Sequence, residues 1–155
     1  MNEPLIAAAK LALSDSHFVT LPHRCQQWLR QVVQHVYGSE FDDFWKATAA
    51  TTGRCFQHSP YAVPLSQGSQ PGDILYKLKG SGGDGHVGIR LPGNLVAENS
   101  SVHWDGRDAR GTRTLKEFGN FDLIVRLRPP KSLRPRVSNT GVIDKRVATL
   151  TAKVV

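Results

Sequence analysis

Cysteine is scarce in this 155-residue chain, which carries only Cys25 and Cys55. Two thiols are too few for a disulfide framework, so a packed core must hold the fold, with a Cys25–Cys55 bridge as the single covalent alternative. No apolar run reaches the length of a membrane span. The opening stretch MNEPLIAAAKLALSDS has an acid and no basic cluster ahead of its apolar residues, and Lys10 interrupts them. It reads as a short amphipathic helix and not as a signal peptide, so synthesis in the cytoplasm with reduced thiols is expected. Acids are also in deficit: 13 Asp and Glu stand against 20 Lys and Arg, a net charge of +7 and a pI near 9.8. That imbalance favours polyanionic partners such as nucleic acid, an anionic membrane surface or the acidic polymers of a cell wall. The positive charges are scattered, and no basic block interleaved with aromatics occurs, which speaks against nucleic acid.

Metal-ligand spacings are missing as well. There is no CxxC or HExxH, so a zinc site built from Cys25, His23, His86, His103 or Asp84 has no supporting pattern. The Gly-rich GSGGDG lacks a following GK[ST] and leads into no helix, which excludes a phosphate loop. No metal and no cofactor are expected.

What is present is a change of character along the chain. RCQQWLRQVVQHVY (24–37) places Cys25, Trp28, Leu29, Val32, Val33 and Val36 on one helical face and Gln26, Gln27, Arg30, Gln31 and Gln34 on the other. Pro22 approaches its start and Gly38 suits its end. A second helix is expected from Glu40 to Thr51, with Ser39 as N-cap, Phe41, Phe44, Trp45 and Thr48 inward, and Gly53 as terminator. Residues 60–72 read as a loop. Strands are expected at Asp73–Leu78, His86–Leu91, Leu95–Asn99 and Phe121–Leu127, with one helical turn at Leu115–Phe118. Helices first and strands afterwards predict an α+β fold with a mostly antiparallel β-sheet. The domain is placed at residues 1–128, a Pro-rich basic linker at 129–136 and a β-prone tail at 137–155.

Cys25 falls in the first turn of its helix, where free N–H groups and the helix dipole favour a thiolate. A buried structural cysteine is the plain alternative. His86 opens a strand directly after the KGSGGDG loop, at the kind of loop-over-scaffold position where sites are built. His17, His35 and His58 read as surface residues, whereas His23 and His103 are candidate neighbours of a site. Trp104 is either an exposed platform for substrate or a loop residue tucked against the sheet. Arg107, Asp108, Arg110 and Arg113 read as a solvated loop.

The blocks PHRCQQWLRQVV and PGDILYKLKGSGGDGHVGIRLPGNLVAENSS resemble the two signatures of NlpC-type and CHAP-type papain-like cysteine peptidases. The resemblance covers roughly residues 20–128 and implies a papain-like fold with N-terminal helices packed on the sheet. It implies Cys25 as nucleophile, His86 as base, and a polar residue on the next strand as orienter of the imidazole. Glu98 and Asn99 both stand there; neighbouring strand residues face opposite sides, so one of them serves, with Glu98 favoured. The Cys25 N–H supplies one oxyanion donor; the upstream Tyr or Gln usual in these families is missing, with His23 or Arg24 the nearest polar candidates. His23, His103 and Trp104 are the expected substrate contacts. The implied activity is hydrolysis of peptidoglycan stem or cross-bridge peptides, or of the muramoyl–alanine amide, at the cell wall after delivery by a phage particle or secretion machine. The remaining alternatives are a cytoplasmic hydrolase of another amide or isopeptide, a degenerate binding module, and a phage assembly domain docked through its tail.

Overall fold

The structure is a computed structural model that describes residues 1–130. Only the first two residues of the expected linker are therefore seen, and the expected tail at 137–155 lies outside the described residues. Four α-helices are described: α1 (Glu3–Ala12), α2 (Cys25–Tyr37), α3 (Ala49–Gln57) and the single turn α4 (Leu115–Phe118). Six strands complete the fold: β1 (Ala62–Val63), β2 (Ile74–Lys77), β3 (His86–Leu91), β4 (Leu95–Asn99), β5 (Arg110–Thr114) and β6 (Leu123–Val125). They form one open antiparallel sheet in the order β1-β6-β2-β3-β4-β5. The α+β expectation holds. No described helix is long and apolar enough to cross a membrane.

Alternation along the strands divides the apolar residues between two faces. Ile74, Tyr76, Val87, Ile89 and Ala97 meet Leu5, Trp28, Leu29, Val32 and Phe56 from α1, α2 and α3 in the main core. Leu75, Val96 and Ile124 pack with Phe118 on the opposite face. Asn2 starts α1 and ties it in: its Oδ1 accepts from the Leu5 N–H, while its Nδ2 donates to Tyr37 Oη at 2.7 Å and to the Leu127 carbonyl at 3.2 Å. Trp28 Nε1 donates to the Ala12 carbonyl at 3.0 Å, locking α2 onto the end of α1.

The helix expected at Glu40–Thr51 does not form. The chain makes a short 3-10 turn at Asp42–Phe44, becomes extended at Trp45, and re-enters helix only at Ala49. Thr48, not Ser39, is the cap, and its side chain and that of Thr51 satisfy each other's backbone N–H groups. Aromatic packing explains the break. Phe44 stacks on Phe56 at 4.3 Å, and Phe41 meets Tyr37 and Tyr61 edge-on at 5.0 and 5.2 Å, contacts that one straight helix would not supply together. Gly53 lies inside α3 and does not end it; it lets β2 approach closely, since a Cβ there would sit 2.6 Å from Leu78 Cδ2 and 3.0 Å from Tyr76 Cδ1. Two strands were not foreseen: β1, within the expected loop, and β5, within the polar stretch 100–114.

Candidate active site

Cys25 is the first residue of α2, whose approach is fixed from β4. Asn99 is buried; its Nδ2 donates to the Leu21 carbonyl at 2.9 Å and its Oδ1 accepts from the Arg24 N–H at 3.4 Å. The Ala109 N–H adds a bond to the Thr20 carbonyl at 2.8 Å. Asn99 thus holds the segment that presents the thiol, and its side chain makes no hydrogen bond to His86. Cys25 itself is half-buried against the helix-side core. Burial pushes its thiol up to about 11, against the pull of the backbone N–H groups of Val87, Gln26 and Cys25. This reverses the lowering expected from the helix start: desolvation of a thiolate outweighs the dipole here.

His86 opens β3 behind Gly85, whose φ is +72° and where a Cβ would lie 2.4 Å from the Lys77 carbonyl oxygen. No other residue fits that approach without displacing β2. His86 Nε2 lies 2.6 Å from Glu98 Oε1, and its ring centroid is 5.7 Å from that of Phe118. Nδ1 has no partner among the described residues and is the nitrogen left for a proton from the cleft.

Glu98 is fully buried, and of the two polar residues closing β4 it is the one that hydrogen-bonds His86. Besides His86 it takes His103 Nε2 on Oε2 at 2.9 Å, and Arg113 through Nε to Oε2 at 2.6 Å and Nη2 to Oε1 at 2.9 Å. Burial alone would raise its pKa, but the bonds from His86 and Arg113, with His103, hold it at about 2. It is therefore a carboxylate near neutral pH.

Arg113 is not a solvated loop residue: it comes from β5, opposite Val96, and grips Glu98 with two bonds. Arg110 is buried too, donating to the Ala12 and Asp15 carbonyls and to Asp108. His103, expected among the substrate contacts, is not among the residues lining the cleft; it hydrogen-bonds Glu98 instead. Its ring occupies the space left by Gly111, where a Cβ would lie 2.6 Å from His103 Nδ1. Trp104 is 40% exposed at the end of the Ser101–His103 turn and lines neither limb of the cleft. His17, His35 and His58 are exposed, as their surface reading required.

Cys25 and His86 are brought together in a cleft of about 130 Å³, lined also by His23, Asp84, Asn99 and Ser101. No hydrogen bond joins them. A second limb of about 300 Å³ continues past Cys25 between Arg24, Gln27 and Thr48, with His23 and Asp84 shared by both limbs. The cleft exists because β3 and β4 part. Their pairing runs from Leu91↔Leu95 to Ile89↔Ala97 and stops, while β4 continues through Glu98 and Asn99 along β5. The start of α2 meets this opening, where the Val87 N–H interacts with the Cys25 sulfur. A wider depression of about 760 Å³ lies by Asn94, Leu115 and Phe121, with Lys116 as its one ionisable lining residue.

No protein-family model matches the chain, and no curated protein does. The site must be read from its own chemistry. A thiol, a base with one free nitrogen, and a buried ionised orienter form the sequence needed for nucleophilic attack on a carbonyl. Gln26 was missed as a member of the surroundings: it is buried, not outward, and its Oε1 accepts from Tyr76 Oη at 3.3 Å while Nε2 has no partner. Helical spacing put it with the polar residues, but the Tyr76 hydroxyl of β2 reaches it from the sheet.

Proposed function

We propose that the protein is a cysteine hydrolase that cleaves amide bonds in the peptide part of bacterial peptidoglycan. The observation that carries this reading is that Cys25 and His86 line one cleft, with the fully buried Glu98 held against the His86 ring at 2.6 Å. In the proposed cycle Cys25 Sγ attacks the amide carbonyl carbon and its proton passes to His86 Nδ1. Glu98 stabilises the imidazolium across the 2.6 Å contact. The Cys25 N–H, at the open end of α2, faces the oxyanion. Collapse breaks the C–N bond as His86 returns the proton to the leaving amine, and a thioester remains. Water, deprotonated by His86, then attacks the thioester and releases a carboxylate and the thiol.

The choice of substrate rests on two supports. The Cys and GHVGI blocks resemble those of the NlpC-type and CHAP-type families, and the basic composition suits a wall decorated with anionic polymers. The test is dye release from labelled peptidoglycan by the purified chain beside Cys25→Ala. Release that disappears in the variant, with mass spectrometry naming the bond, is the expected result. Equal release by both proteins, or none from several wall types under reducing conditions, would refute the reading.

A further inference from the structure

The limb that runs past Cys25 carries two opposite charges that do not meet. Asp84 is its one acid and Arg24 its one permanent base, with His23 the remaining ionisable side chain beside the thiol. Both Asp84 and Arg24 are exposed, and neither forms an ion pair among the described residues. Arg24 Nη1 donates to the neighbouring His23 carbonyl at 3.2 Å, and the Asp84 carboxylate has no partner among the described residues. Each residue is held instead by its main chain. Asp84 stands between Gly83 and Gly85, whose φ angles are +93° and +72°, and its carbonyl accepts from the Ala50 N–H of α3 at 2.8 Å. Arg24 follows His23, which takes a φ of +62° although it is not a glycine, and the Arg24 N–H is bound by Asn99 Oδ1 at 3.4 Å. Strained backbone of this kind clusters where a site is built. The separate anchors explain why two attracting charges on one limb stay apart.

The Arg24 side of the limb offers more than a guanidinium. α2 has no side-chain cap, so its first turn adds the positive end of a helix dipole. Gln26, in that turn and lining the same limb, is buried with its Nε2 unpartnered. A lone anion here would be drawn by Arg24 and repelled by Asp84, and a lone cation would meet the reverse. A group that carries both charges meets two attractions and is favoured over either. We propose that this limb is a substrate subsite for a residue bearing both a free ammonium and a free carboxylate. Asp84 takes the ammonium, and Arg24 with the open turn of α2 takes the carboxylate. The residue lies directly beside the amide that Cys25 attacks, and it is the free end of a peptide that has an amino side chain. The inference rests on Cys25 and His86 cutting a peptide amide, and it names the peptide end they select.

The experiment measures binding to the Cys25→Ala protein by calorimetry, so turnover does not enter it. The probe is the stem peptide alanyl-γ-glutamyl-lysine, used free, acetylated on the lysine amine, or amidated at the lysine carboxylate. Each blocked peptide should bind about tenfold more weakly than the free one, the effect of one charge-assisted hydrogen bond. Added salt should weaken the free peptide most. With Asp84→Asn added, acetylation should cease to matter while amidation still does, and Arg24→Gln should show the reverse. Both substitutions change exposed side chains, and a thermal melt checks that each protein is folded. Equal affinity for the three peptides would overturn the inference, as would binding of none of them. A penalty that survives removal of its partner side chain would overturn it too. Charge-blind binding beside Cys25-dependent dye release would sink the subsite and leave the hydrolase standing. Charge-selective binding without dye release by the wild type would keep the subsite and count against the wall hydrolase alone.

Discussion

Glu98 shows how far a single residue links stability to the candidate chemistry. Its carboxyl titrates at about 2 in the fold against an ordinary value of 4.5. A depressed acid stabilises the fold above its unfolded pKa, and that contribution is lost as pH falls through the interval between the two values. The interval corresponds to about 3 kcal/mol. Urea unfolding followed from near-neutral pH down to about pH 3 should therefore show a steep loss of stability in the wild type. In Glu98→Gln the loss should be shallower, because the remaining depressed acids, such as Asp105 and Glu117, are exposed and screened. An equal slope in both proteins would remove Glu98 from this role. Cys25, His86 and Glu98 were legible as candidates in the sequence because Cys25 opens a helix, His86 opens a strand, and Glu98 is one of two polar residues closing the next strand. Arg113 and His103 were not: they come from a polar stretch with no periodicity, and only the register of β5 against β4 reveals that Gly111 lies opposite Glu98, with Arg113 two residues further along β5.

Among the elements, those with one clear apolar face were readable, and those shaped by distant partners were not. The periodicity of α2 and the alternation of β3 and β4 gave their bounds directly, since their own residues fill the core. β5, RGTRT, has no apolar residue; it is an edge strand that owes its place to hydrogen bonds with β4 and to the charges its side chains meet. The missing helix at 40–51 was undone by Phe56 and Tyr61, which lie beyond its end in sequence. β5 also yields a local test. In Gly111→Ala the new Cβ would enter the His103 ring position and push the imidazole off Glu98. A loss of about 1–3 kcal/mol is expected in urea unfolding. The same substitution in a His103→Ala background should cost much less, and an undiminished cost would mean that the strand, not the ring, bears the strain.

For the whole molecule, the charge balance bears most directly on the proposed setting. With +7 in 155 residues, binding to walls carrying anionic polymers should weaken as salt is added. Sedimentation with whole sacculi, compared with sacculi stripped of their acidic polymers, measures this. Retention that ignores both salt and stripping would assign wall affinity to the cleft and not to the general charge. The division of the chain into helices followed by an antiparallel sheet was legible, because composition changes near residue 73. The way the two ends of the domain close on each other was not, because that depends on Asn2, whose short polar side chain gives no long-range signal. It joins the first helix, the end of α2 and the exit of β6 with three hydrogen bonds. Anyone trimming the amino end for expression would cut this clasp at three places at once. A purification handle is better attached ahead of the exposed Met1 than substituted for the residue that follows it.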